Sequence, residues 1–160
     1  LCCLSLGMAM ESIIKSLKNI SNIAGRLEKF NLNDNNIAII DYAHSPDAFE
    51  NLFSTIKQID NKRKIITVFG CGGNRDKLKR PLMAKIVEKF SYKIYITEDN
   101  PRFEDNNDIF NDIISGFSKK DYRIIRDRKK AITEALAYSE NSIILILGSL
   151  NHLFESNDGQ

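Results

Sequence analysis

The chain has 160 residues, 42% of them apolar and 28% charged, with a formal net charge of +2. That is length enough for one ordinary domain with a real core, and too little charge to imply nucleic acid or an anionic membrane. There is no Trp and no run of 18 apolar residues, so neither a basic aromatic nucleic-acid face nor a membrane helix is expected.

Cys2, Cys3 and Cys71 form an odd set without a C-x-x-C pair, which points to a reducing cytoplasm rather than a disulfide framework. Position 1 is Leu, and the expectation is a fragment whose start lies upstream.

Residues 1 to about 22 carry apolar side chains near helical spacing and predict one or two short helices. Ile23 to Phe30 alternates enough to predict a strand, followed by a polar turn over Asn31 to Asn36. Ile37 to His44 begins with four apolar residues and predicts a strand buried on both faces. Ser45 is a good N-cap and Pro46 suits the first helical position, so a helix is expected from there to about Asp60.

Lys64 to Phe69 predicts the next strand, running into Gly70-Cys71-Gly72-Gly73-Asn74-Arg75-Asp76-Lys77. A helix over Lys79 to Phe90, a strand over Lys93 to Thr97 and a helix over Asn107 to Phe117 follow. Asp121 to Ile125 predicts a short strand, Arg128 to Ser139 a helix, and Ser142 to Leu147 a last strand opening onto Gly148. Strand and helix alternate, which argues an α/β fold: a Rossmann-like three-layer sandwich with a mostly parallel sheet. A domain boundary is expected near residues 20–25.

Three polar clusters follow three successive strands, and all should meet at the carboxyl edge of the sheet, where open α/β sheets bind ligands. They are Asp41-Tyr42-Ala43-His44, Gly70 to Lys77, and Asp99-Asn100-Pro101-Arg102. In the third, Asp99 can accept from an ammonium, Asn100 can donate and accept, and Arg102 offers a fork for a carboxylate. Pro101 stiffens the presentation. Such a set suits an amino acid. Read alone, it is equally a strand-to-helix turn with solvated charges.

The glycine-rich cluster is neither G-x-x-x-x-G-K-[ST] nor G-x-G-x-x-G, so it is no Walker A loop and implies no dinucleotide. Arg75 and Lys77 add positive charge there. Taken alone, His44 reads as a structural histidine and Cys71 as a packing residue, and two histidines without matching cysteines make no metal site.

Taken in order, Asp41-Tyr42-Ala43-His44-Ser45-Pro46-Asp47, Phe69 to Asp76, Lys79-Arg80-Pro81-Leu82-Met83 and Asp99-Asn100-Pro101-Arg102 resemble the Mur ligases of peptidoglycan synthesis. The resemblance covers about residues 23–148. It implies that residues 23–160 form the C-terminal, amino-acid-binding domain and residues 1–22 the tail of the central ATPase domain. It implies a cytoplasmic, ATP- and Mg²⁺-dependent ligase joining meso-diaminopimelate to UDP-MurNAc-L-Ala-D-Glu through an acyl phosphate, with the P-loop and metal ligands in upstream domains.

Carried over by motif, Arg26 and Asp41 would contact ATP and His44 would lie near it. Arg75, Asp99, Asn100, Pro101 and Arg102 would grip the diaminopimelate. Gly148 matches the first Gly of the family's Gly-Lys-Gly-His-Glu run. No catalytic residue and no metal ligand is carried onto this chain. Here the run reads Gly148-Ser149-Leu150-Asn151-His152, an ending that resembles folylpolyglutamate synthase; the alternative readings are such a ligase domain, or a truncated, non-catalytic binding module.

Overall fold

The computed structural model describes residues 2–19, 23–119 and 121–148. Two short helices, α1 (Cys2–Ser5) and α2 (Met10–Lys18), come first and bury none of their side chains. The remaining elements run β1 (Glu28–Asn31), β2 (Ile37–Asp41), α3 (Pro46–Ile59), β3 (Lys64–Phe69), α4 (Lys79–Phe90), β4 (Lys93–Ile96), α5 (Asn106–Ile114), β5 (Arg123–Ile124), α6 (Arg128–Tyr138) and β6 (Ser142–Leu147).

Among the described residues, six strands form one sheet in the order β1-β2-β6-β3-β4-β5. Only β1 runs antiparallel to its neighbour. The last strand therefore slots into the middle, with Ile37 beside Ile143 and Ile143 beside Ile65.

Period-2 side-chain alternation sorts the central strands onto two faces. Ile65, Phe69, Ile94, Ile96, Ile143, Leu145 and Leu147 pack under α3, α4 and α5. Ile66, Val68, Tyr95, Ile144 and Ile146 pack against Ala131 and Ala135 of α6. The result is the expected three-layer α/β sandwich. Among the described residues no helix is long and apolar enough to cross a membrane.

Helix α3 starts where Ser45-Pro46 said it would, the Ser45 Oγ accepting from the Ala48 amide at 3.3 Å. Two expectations need correction. The strand expected over Ile23 to Phe30 begins only at Glu28, because Gly25 (φ 71°) and Leu27 (φ 46°) hold left-handed turn conformations. The second strand is mostly half-buried rather than buried on both faces, since its outer neighbour β1 is a short, largely exposed edge strand. The boundary expected near residues 20–25 falls partly on residues outside those described.

Candidate functional site

Parallel pairing brings the carboxyl ends of four strands level. Asp41 and Phe69 both lie beside Leu147, and Phe69 also lies beside Ile96. The loops leaving β2, β3 and β4 thus surround one point, and Gly148 closes it from β6.

They enclose a cleft of about 380 Å³ lined by Tyr42, His44, Gly72, Arg75, Asp76, Lys79, Asp99, Asn100 and Arg102. Three cations and two carboxylates face the same space. Such a lining can meet both the ammonium and the carboxylate groups of an amino acid. His44, Arg75, Asp99, Asn100 and Arg102 were expected there. Tyr42, Asp76 and Lys79 were not assigned roles, although all three lie inside the quoted motifs.

The loops after β3 and β4 are laced together. The Gly73 amide donates to the Asn100 carbonyl at 2.9 Å, and Arg102 Nη1 donates to the Gly73 carbonyl at 2.8 Å. A side chain on Gly73 would run into the Pro101 carbonyl, so only glycine permits this approach. Pro101 therefore serves as backbone support beneath Arg102. Arg102 itself has φ 52°, a left-handed conformation that non-glycine residues adopt at a cost. Asn100 Oδ1 accepts from the Arg102 amide at 3.0 Å and holds that turn.

Beneath the lacing is a buried ion cluster. The Arg80 side chain is wholly buried. Its Nη1 donates to Glu104 Oε1 at 2.7 Å and Asp112 Oδ2 at 2.8 Å, and its Nη2 to Glu104 Oε2 at 2.7 Å. Glu104 also accepts from the Asn74 amide at 2.9 Å, and Lys77 Nζ lies 2.9 Å from it. Lys77 was expected to add charge at the strand end, but it bridges to Glu104 instead. The Arg80 guanidinium, then Lys77, hold the Glu104 carboxyl well below its ordinary 4.5.

A depressed carboxylate stabilises the fold fully above its unfolded-chain value and loses that contribution as pH falls below it. Glu104→Gln should therefore lower the urea midpoint at pH 7, and the gap from the wild type should shrink as pH falls below about 4.5. A gap that stayed constant down to pH 3 would count against the cluster.

On the opposite wall, Asp41 does not reach the cleft. Its Oδ2 accepts from the Leu27 amide at 2.9 Å and its Oδ1 from the Ala43 amide at 2.8 Å. It ties the entry turn to the end of β2. That tie sets Arg26 over the Tyr42 ring at 5.1 Å, so Arg26 backs the cleft wall from outside. His44 Nδ1 lies 3.0 Å from the Tyr42 carbonyl, and Lys79 Nζ donates to the His44 carbonyl at 2.9 Å. Gly148, at φ 104°, lies under Asp99: a methyl group on it would sit 2.8 Å from Asp99 Oδ2.

Cys71 lies among these loops at 4% exposure, its thiol pushed up to about 12 by burial. Ellman's reagent at pH 8 should titrate the exposed Cys2 and Cys3 and reach Cys71 only after unfolding. Three thiols reacting at the same rate would contradict this placement. Among the described residues no three His, Cys, Asp or Glu side chains gather as ligands for a metal ion.

Comparison with known proteins agrees with the fold and the motifs. A family described as Mur ligase, glutamate ligase domain, matches residues 25–150. UDP-N-acetylmuramoyl-L-alanyl-D-glutamate–2,6-diaminopimelate ligase of Fusobacterium nucleatum is 46% identical over 147 residues, covering 91% of this chain and 30% of that protein. A solved structure of a ligase of the same name is 30% identical, with a TM-score of 0.69 over 92% of this chain and 30% of its own. Folylpolyglutamate synthase of Mycobacterium tuberculosis shares the fold at 20% identity, with a TM-score of 0.72 over 96% of this chain and 36% of that one. The chain thus spans about 30% of the length of the curated relatives it matches. It belongs to the Mur ligase family.

Proposed function

We propose that this chain is the amino-acid-binding domain of a cytoplasmic, ATP-dependent ligase that adds meso-diaminopimelate to UDP-MurNAc-L-Ala-D-Glu in peptidoglycan synthesis. The observation that carries the reading is the cleft, where Arg75, Lys79 and Arg102 face Asp99 and Asn100. Asp99 receives the ammonium of an amino acid, and Arg102 and Arg75 receive carboxylates. Diaminopimelate has a carboxylate at its far end where lysine has only an ammonium, which an arginine would repel. The 46% identity to a ligase named for that amino acid supports the same choice.

The chemistry is an acyl transfer. The D-glutamate γ-carboxylate takes the γ-phosphoryl group of ATP, and the amine of diaminopimelate attacks the acyl phosphate. The tetrahedral intermediate then expels phosphate. Tyr42 and His44, backed by Arg26 and braced by Asp41, form the wall nearest ATP. Mg²⁺ would offset the phosphate charge. We place its ligands mainly in the central domain.

Residues 23–160 constitute the amino-acid domain, and residues 1–22 the tail of the central one. In support, α1 and α2 bury none of their residues while exposing Leu4, Met10, Ile14 and Leu17, a face suited to other parts of a larger enzyme.

The test is a hybrid ligase in which this chain replaces the C-terminal third of the Fusobacterium nucleatum relative. Phosphate release should depend on meso-diaminopimelate and run roughly a hundredfold slower with lysine. Equal rates with lysine, or a preference for L-glutamate, would overturn the reading. The 160-residue chain by itself should release no phosphate from ATP.

A further inference from the structure

Arg128 is the first residue of α6, and the motif reading gave it no role. It is 7% exposed. Asp127 caps the helix, its Oδ1 accepting from the Lys130 amide at 2.8 Å, and the fully buried Ala131 and Ala135 press the helix onto the sheet. The guanidinium is thus delivered rigidly to the carboxyl end of β6. There its Nη2 donates to the Leu147 carbonyl at 3.0 Å. Among the described residues, its Nε and Nη1 are buried without a hydrogen-bond partner.

A buried guanidinium with one hydrogen bond is costly unless an opposite charge lies close. Burial works against its charge, and the Asp99 carboxylate works in favour of it. The geometry says what lies between them. A methyl group on Gly148 would sit 2.8 Å from Asp99 Oδ2 and 3.9 Å from Arg128 Nη2. Cation and carboxylate therefore flank the same bare backbone. Gly148 leaves room for them, and its own amide is tied to the Asp41 carbonyl at 3.1 Å.

We infer that Arg128 is a positioning residue for the amino-acid end of the cleft: fixed to the last carbonyl of β6, it holds the Asp99 carboxylate over Gly148 and so sets where the substrate ammonium is received. This rests on the proposed function for the identity of the ligand, though not for the coupling between the two side chains. Arg128 is not among the cleft-lining residues, so it acts through Asp99. In the low dielectric beneath the loop, a fixed cation restrains a carboxylate far more than it would in water. The Asp99 Oδ1 also accepts from the Asn100 amide at 2.6 Å. The carboxylate therefore has little freedom to follow a misplaced ligand.

The coupling is read first in the ligand-free 160-residue chain by nuclear magnetic resonance. Asp99→Asn should shift the buried Arg128 Nε–H resonance, and Arg128→Met should shift the Asn100 and Gly148 amides while leaving those of α3 in place. Arg128→Lys, which keeps the charge, should return the Asn100 and Gly148 amides most of the way. An Arg128 Nε–H resonance unmoved by Asp99→Asn would overturn the proposal, even if Arg128→Met failed to fold.

In the hybrid ligase, Arg128→Met should raise KM for meso-diaminopimelate about tenfold, with KM for ATP within about twofold. An equal rise in both would mark a general loss of structure and also overturn it. A hybrid inactive with the unaltered chain would sink the proposed function and leave the coupling to the resonance experiment.

Discussion

Arg80→Met is expected to destabilise the chain by about 3 kcal/mol, because removing one partner of a buried ion cluster strands the other. The Arg80 side chain is wholly buried, while the carboxylate side chain of Glu104 is 8% exposed. With the guanidinium gone, Glu104 keeps, among the described residues, the Asn74 amide and Lys77, whose side chain is 60% exposed. Asp112 is better off, being 36% exposed and able to turn to water. The melting midpoint should fall by roughly 10 °C. The loss should also be local in consequence, since Arg80 Nη2 donates to the Gly72 carbonyl at 3.2 Å and anchors the β3 loop directly. Heat denaturation followed by circular dichroism decides the matter. A midpoint within about 2 °C of the wild type would mean that the cluster is no staple.

The second large effect concerns binding. Arg102→Ala in the hybrid ligase should raise KM for meso-diaminopimelate roughly a hundredfold, the usual consequence of losing a charge-assisted carboxylate contact. The melting midpoint should move far less than for Arg80→Met. Arg102 is exposed, and its structural contribution is mainly the bond to the Gly73 carbonyl. Because that bond uses Nη1, the ligand carboxylate would meet the remainder of the fork. Arg102→Lys should rescue poorly, since an ammonium cannot bond the Gly73 carbonyl and grip a carboxylate in the same planar arrangement. Unchanged KM in Arg102→Ala would remove the carboxylate contact from the proposed function.

The two variants separate the layers of the site. Arg80 holds the loops together from below, and Arg102 faces the cleft from above. The sequence marked both, in Lys79-Arg80-Pro81 and in Asp99-Asn100-Pro101-Arg102, yet it distinguished only Arg102. Nothing local announces that Arg80 will be buried, because its partners Glu104 and Asp112 lie 24 and 32 residues away. For the same reason Lys77 read as a ligand-facing cation although it pairs with Glu104.

What local pattern can specify, it specified well. The limits of β3 and β6 were legible because unbroken β-branched and apolar runs stop at charged or glycine residues. The start of α3 was legible from Ser45-Pro46. The run from Ile23 misled because alternation survives through a turn: Gly25 and Leu27 break the strand by conformation, not by hydropathy. Arg128 was invisible as a site residue. An arginine opening a helix with a lysine pair behind it looks like a solvated end, and only the packing of α6 onto the sheet buries it. Asp41 was marked as a nucleotide contact by its motif; the structure adds that its oxygens accept from two backbone amides, a role no local pattern announces.

The order of the sheet has one consequence for how the molecule comes into being. Strand β6 is the last of the described strands but lies between β2 and β3, joining Ile37 to Ile143 and Lys64 to Ser142. A growing polypeptide can pair β3 with β4 early, but β2 has no parallel partner until β6 arrives. Loop closure on that scale is entropically slow, and folding rates fall as contacts become more distant in sequence. The sheet therefore closes as a zip pulled from its far end. Until residue 148 has been made, Asp99 has no Gly148 to lie over and Arg128 no Leu147 carbonyl to hold. The cleft is completed only by β6, and a ribosome-bound chain stopped before it should present two half-sheets and no binding site.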